Sequence, residues 1–306
     1  MRIVFMGTPT FSVPILESLI ANYEVVLVVT QPDKEVGRKR ILTPTPVKVC
    51  AMSHHIPLFQ PERIKDDYEP IINCKPDIII TAAFGQFIPK ALLDLPPLGA
   101  INVHGSLLPK YRGGSPIQTA IIKGEEKTGI TIMYMAPKMD SGDIISQKSI
   151  PILDTDNNET MFNKLSLLGR DLLLTTLPLI IDGKVERIKQ NDALATFAYN
   201  ITHEDQIINW HQSSRAIFNQ IRGLAPNPSA LSTVNGTVVK IFEAKMVNYL
   251  GKEECGCVVK MDKELWVKTL DGALSILEIQ VAGKNKMPIK SFLNGQKLIT
   301  LNALFK

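Results

Sequence analysis

Between residues 2 and 181 the chain changes hydrophobic period again and again, and no other feature limits its fold so strongly. Short runs rich in β-branched residues stand at 2–6 (RIVFM), 24–29 (EVVLVV), 77–81 (DIIIT), 100–103 (AINV) and 129–135 (GITIMYM). Continuous apolar runs of this length suit strands covered on both faces. Helical patterns lie between them. Residues 14–21 place Ile15, Leu16, Leu19 and Ile20 on one face. Ser115-Pro116 supplies an N-cap serine with proline at the first helical position. Residues 161–181 keep a helical period until Asp182-Gly183 stops them. Strands alternating with helices over 1–185 predict an α/β domain on an open, Rossmann-like, mostly parallel sheet.

After residue 185 the period fades. Residues 186–204 read as a linker, and 205–306 as a second domain. A helix is expected over 203–223. Strand-like runs follow at 236–241, 256–259, 264–268 and 274–281, with a turn at Asp271-Gly272. Short, closely spaced strands predict a small β-barrel. A length of 306 residues agrees with two domains, each able to bury a core without metals or disulfides.

Several classes are excluded or weakened by composition. No stretch reaches the roughly 20 apolar residues needed to cross a bilayer, and residues 1–6 read as a strand rather than a leader, so a cytoplasmic protein is expected. The cysteines are Cys50, Cys74, Cys255 and Cys257. A Cys-x-Cys pair without a nearby histidine lacks zinc spacing, and no metal is expected. The net charge of +4 is uneven. From Asp205 onward thirteen lysines and arginines face eight aspartates and glutamates. That excess suits a polyanionic partner, and equally a solvated basic surface. The first strand–helix turn is Gly7-Thr8-Pro9-Thr10, not G-x-G-x-x-G, so a nicotinamide dinucleotide is not expected.

The chemistry gathers near residue 102. Asn102 and His104 stand two apart at the end of an apolar run and therefore point to one side of a strand. Open α/β sheets bind ligands at the carboxyl ends of their strands. A second polar turn, Asp140-Ser141-Gly142, follows the run at 129–135; if the two strands are neighbours, Asp140 reaches His104. Asn, His and Asp converging in a cleft suit acyl transfer to an amine. Amide and imidazolium N–H groups stabilise an oxyanion, and a carboxylate orients the imidazole. By spacing alone the same residues also suit plain caps of a strand and a turn. His54, His55, His203 and His211 have no such company and read as surface or structural residues.

The stretch from Asn102-Val103-His104-Gly105-Ser106 through Leu107-Leu108-Pro109 to Tyr111-Arg112-Gly113-Gly114-Ser115-Pro116-Ile117-Gln118 resembles the signature of 10-formyltetrahydrofolate-dependent formyltransferases. The resemblance implies Asn102, His104 and Asp140 as the catalytic set, Asp140 lying in the family's Asp-x-Gly turn. It implies a folate groove formed by Phe84, Gly85, Gln86, Phe87 and Ile88 together with Ser106, Leu107, Leu108 and Pro109. Phe84 and Phe87 offer apolar walls there, or else belong to the core.

Enzymes with this signature differ in the amine they formylate. Residues 31–48 carry five basic residues against two acidic ones. This segment resembles the inserted loop of the members that act on methionyl-tRNA, with Arg38 matching the key arginine and Lys34, Lys39 and Arg40 as further tRNA contacts. A plain surface loop is the alternative. Similarity continues through Ile208-Asn209-Trp210, Val239-Lys240-Ile241 and Gly283-Lys284-Asn285-Lys286-Met287, which look like that group's oligonucleotide-binding-like (OB-like), tRNA-binding barrel. Asn227 departs from the aromatic or glycine usual between Pro226 and Pro228. The resemblance implies an enzyme of translation initiation whose partners are formyl-folate and initiator methionyl-tRNA, and a monomer is expected. An amino-sugar nucleotide formyltransferase would lack the basic loop, and a non-catalytic RNA-binding relative would have lost Asn102, His104 or Asp140.

Overall fold

Five of the six residues of β1 (Arg2–Gly7) are buried, and all five of the strand Ile78–Ala82. Such strands must be covered on both faces, and the rest of the first unit covers them. The computed structural model describes residues 1–37 and 39–306. They form two compact units: 1–116, 128–150 and 162–199 in the first, 117–127, 151–161 and 200–306 in the second.

The strands up to residue 151 are β1, β2 (Glu24–Val29), β3 (Lys34–Val36), β4 (Ile41–Thr43), β5 (Leu58–Phe59), β6 (Ile78–Ala82), β7 (Ala100–His104), β8 (Lys127–Tyr134) and β9 (Ile144–Pro151). The helices are α1 (Val13–Asn22), α2 (Pro46–Ser53), α3 (Glu69–Asn73), α4 (Lys90–Leu93), α5 (Pro116–Ile122) and α6 (Asn158–Ile181). Seven strands make one sheet in the order β5-β2-β1-β6-β7-β8-β9. The first five run parallel, and β8 is antiparallel to β7. From β1 the chain moves outward to β2 and β5, then crosses back to β6 on the other side. The order therefore reverses between β1 and β6, and a crevice at the carboxyl ends of these strands is the preferred ligand position.

Local chemistry sets the helix starts. Thr45 caps α2, its hydroxyl accepting from the Lys48 amide at 3.1 Å, with Pro46 at the first position. Asn157 does the same for α6, accepting from the Thr160 amide at 2.9 Å. Val4, Met6, Val29, Ile64, Ile79 and Leu92 join one apolar core on the sheet. Each fully buried aliphatic side chain contributes on the order of 2 kcal/mol. β9 had no signature in the sequence because half of its residues are solvent-facing, three of them polar and the fourth a proline.

Residues 186–199 have no hydrophobic period, yet they are strapped to the first unit. Ile188 forms an antiparallel bridge with Ile144, and Phe197 runs parallel beside Arg112.

In the second unit α7 (Ser214–Leu224) is capped by the Ser213 hydroxyl and buries Ile217, Ile221 and Leu224. The helix expected over 203–223 thus begins only at Ser214. Ile207 instead bridges to Leu231, and Trp210 is buried with its indole N–H on the Ser232 hydroxyl at 3.0 Å. The strands are β10 (Ala230–Val234), β11 (Thr237–Val247), β12 (Val258–Met261), β13 (Leu265–Lys268), β14 (Ala273–Val281) and β15 (Met287–Pro288). They are ordered β10-β11-β14-β13-β12, with β15 on β14. The last residues close this antiparallel sheet into a barrel. Phe305 pairs with Val234 at the β10 edge, and Leu304 with Cys257 beside β12. One chain end satisfies both edges, which removes open backbone groups from the rim.

Candidate active site

The carboxyl end of β7 carries Asn102 and His104, one strand away from the switch point. Thr81, at the matching level of β6, donates its hydroxyl to Oδ1 of Asn102 at 2.8 Å. The Asn102 amide nitrogen makes no hydrogen bond among the described residues. Its two N–H groups are donors in reserve.

His104 is buried. Its Nε2 lies 3.0 Å from the carbonyl oxygen of Tyr111. A carbonyl only accepts, so Nε2 carries the proton in the neutral ring and Nδ1 is the free base. Nδ1 faces Oδ1 of Asp140 at 3.8 Å. That is ion-pair range but too long for a hydrogen bond. A proton gained at Nδ1 makes an imidazolium directly opposite the carboxylate.

Asp140 follows β8 in a tight turn and has φ 46°, the left-handed region. Its other oxygen, Oδ2, accepts from the Gly113 amide at 2.8 Å. Two glycines make this packing possible. A Cβ on Gly142 would lie 1.9 Å from the Tyr134 carbonyl, and one on Gly113 2.4 Å from the Ala198 carbonyl. Neither clash is compatible with a side chain.

Two loops flank the set. After β6, Ala83 and Gly85 have φ of 49° and 85°, so the backbone curls at the crevice. Phe84 is core, and its carbonyl already accepts from Thr8 and Gln31. Phe87 is 67% exposed. The backbone groups of Gly85 and Phe87 make no hydrogen bond among the described residues. The Gln86 side chain is committed elsewhere, bonding the Ile64 amide and the carbonyls of Pro61 and Glu62. Ile88 belongs to the core. The second loop, 106–111, is knitted from beneath. Ser106 donates to the Lys110 carbonyl at 2.7 Å, and the Thr131 hydroxyl joins the Ser106 carbonyl to the Leu108 amide. Leu108 is buried against Met133 and Ile144, while Leu107 and Pro109 are half-buried. The expected folate segment therefore divides. Gly85, Phe87, Leu107 and Pro109 face outward, whereas Phe84, Ile88, Ser106 and Leu108 support them.

Comparison with known proteins settles the family. Residues 1–177 match the family described as Formyl transferase, and residues 200–297 its C-terminal domain. The chain is 54% identical over 299 residues to a methionyl-tRNA formyltransferase of Staphylococcus epidermidis, covering 96% of both chains. It is 52% identical to a methionyl-tRNA formyltransferase of Staphylococcus aureus, again over 96% of both. The chain belongs to the formyl transferase family. The fold is shared by an N-formyltransferase of Helicobacter canadensis solved with folinic acid and dTDP-3-aminofucose. That structure gives a TM-score of 0.70 at 21% identity, over 90% of this chain and 98% of that one. HypX from Aquifex aeolicus, solved with tetrahydrofolic acid, gives 0.65 at 19% identity over 96% of this chain and 47% of its own.

In this formyl transferase family member the basic segment is partly a hairpin. β3 and β4 pair as Lys34↔Thr43, Glu35↔Leu42 and Val36↔Ile41, all exposed. Lys34, Lys39 and Arg40 are exposed, and Arg40 pairs with Glu35. Lys48 is turned inward onto Asp33 at 2.6 Å, which holds the Asp33 carboxyl below its ordinary range. Arg38 lies outside the described residues. The histidines at 54, 55, 203 and 211 are all exposed, and the four cysteines are free thiols. Among the described residues no group of three His, Cys, Asp or Glu side chains is placed to hold a metal, and no helix is long and apolar enough to cross a membrane.

Two residues at the site escaped the sequence reading. Thr81 was legible only as a strand residue. Gln190, in a stretch without period, donates to the carbonyls of Asp140 and Gly142.

Proposed function

We propose that this chain transfers the formyl group of 10-formyltetrahydrofolate to the α-amino group of methionine on initiator tRNA, in the cytoplasm, for translation initiation. The observation that carries this reading is the near-full-length identity of 54% to a protein of that name in a chain whose His104 faces Asp140 at a strand end. Gly85 and Phe87 offer unpaired backbone groups to the pterin edge, and Phe87 with Leu107 and Pro109 offers apolar cover, which suits a flat heteroaromatic ring.

The chemistry follows from the donors. The methionine amine attacks the formyl carbon, and charge develops on the formyl oxygen. The free Asn102 N–H groups stabilise that oxygen. Nδ1 of His104 takes the proton lost by the amine, the Asp140 carboxylate stabilises the resulting imidazolium, and the proton passes to the departing folate nitrogen. The C–N bond to the amine forms as the bond to folate breaks. No step calls on a metal. Lys34, Lys39 and Arg40 approach the phosphates at the acceptor end, Arg38 acts at the stem end itself, and the second unit, with its basic excess, follows the backbone of the same tRNA.

The test is formyl transfer from 10-formyltetrahydrofolate to charged initiator tRNA, with charged elongator methionine tRNA beside it. Transfer to the initiator at a rate well above the elongator supports the reading. Transfer to neither, with transfer to an amino-sugar nucleotide, replaces it.

A further inference from the structure

Gln190 stands between the two family-matched regions, which end at 177 and resume at 200. It is nevertheless buried, and every hydrogen-bonding group of its amide is used. Oε1 accepts from Nε of Arg112 at 3.0 Å and from Nη2 at 2.8 Å. Nε2 donates to the Asp140 carbonyl at 2.8 Å and to the Gly142 carbonyl at 2.8 Å. The orientation of this amide is forced: a guanidinium has only donors, and backbone carbonyls only accept. Arg112 is itself fully buried and paired with Asp192 at 2.8 Å. Two residues upstream, Ile188 is fixed to Ile144 by mutual backbone bonds of 2.8 and 2.9 Å.

The Asp140 turn is thus gripped from two sides. Gly113 holds the carboxylate, and Gln190 holds the backbone on both sides of Ser141. The grip acts on a turn in which Asp140 adopts a left-handed φ, a conformation uncommon outside glycine although aspartate tolerates it better than most residues. We infer that Gln190 is a positioning residue for the reaction, holding the Asp140 carboxylate in register with His104 through the Arg112–Gln190 pair. This rests on the reaction proposed above and extends it to a segment outside both family regions.

Gln190→Glu is the informative variant. It keeps the size and strengthens the pairing with Arg112, but it sets a carboxylate oxygen against two carbonyls that need a donor. With the full chain, the expected result is a fall in kcat of roughly 10-fold or more, with KM for formyl-folate changed less than about twofold. Combined with Asp140→Asn, Gln190→Glu adds almost nothing further, because both act on one carboxylate. Full additivity in that pair, with thermal stability lowered in step, reduces Gln190 to a structural support and overturns the inference. A second readout is independent of activity: hydrogen exchange of the Gly113 amide, bonded to Asp140 Oδ2, accelerates in Gln190→Glu. An unchanged Gly113 amide overturns the inference even if the wild-type chain transfers no formyl group, an outcome that sinks the proposed reaction separately.

Discussion

The hydroxyl of Thr81 donates to the amide oxygen of Asn102 across adjacent parallel strands, at 2.8 Å, the shortest of its contacts. This bond commits the Asn102 amide oxygen and leaves the two N–H groups unspent among the described residues. Thr81→Val keeps the shape and removes the donor. Its expected effect is a fall in kcat of about 5-fold, equivalent to one neutral buried hydrogen bond of ~1 kcal/mol. Thr81→Ser retains most activity, and steady-state kinetics of the two variants separate hydroxyl from methyl.

Asn102→Ala, His104→Ala and Asp140→Ala each lower formyl transfer by at least ~100-fold, the scale for oxyanion and acid–base groups. Far-ultraviolet circular dichroism stays as in the wild type. A folded His104→Ala protein with wild-type turnover overturns the proton path through Nδ1.

Arg38→Ala is expected to cost ~1.5–3 kcal/mol in transfer efficiency to initiator methionyl-tRNA, the worth of a charged hydrogen bond, while binding of formyl-folate is unchanged. Lys39→Ala costs less and flattens the plot of log affinity against log salt by about one phosphate contact. Filter binding over a salt series measures it.

Phe305 is buried edge-on to Trp210, ring centroids 5.7 Å apart, where the chain end closes the barrel. Phe305→Ala therefore lowers stability by ~3–5 kcal/mol, the cost of emptying an aromatic core site. Urea unfolding followed by tryptophan fluorescence, in a Trp266→Phe background that leaves Trp210 as the reporter, measures it.

Burial pushes the Cys50 thiol up to about 11. An acid raised by folding supports the native state while protonated. Its contribution is whole below the ordinary thiol range and is lost as pH rises from there through about 11. Iodoacetamide at pH 8 is expected to label the half-buried Cys74 and Cys255 well before Cys50 and Cys257. Peptide mapping of a timed reaction shows the order, and equal labelling of Cys50 and Cys255 refutes it.

What the sequence determined alone was whatever repeats at short range. The apolar runs at 2–6, 77–81 and 100–103 demanded strands buried on both sides, Ser115-Pro116 marked the start of the helix that begins at Pro116, and two-residue spacing put Asn102 and His104 on one strand end. The run from Asn102 to Gln118 carries the family signature within seventeen consecutive residues. Tertiary structure alone decided what depends on groups far apart in the chain. Phe84 and Phe87 read alike, but only the sheet makes one core and the other surface. Ile207 to Trp210 carried a helical pattern, yet pairing with Leu231 and Ser232 outweighed it. Closure of the barrel by Leu304 and Phe305, and the grip of Gln190 on Asp140 fifty residues away, leave no periodic trace. A hydrogen bond between one side chain and a distant carbonyl requires a single residue at a single place, and nothing in its neighbours along the chain has to repeat for it to form.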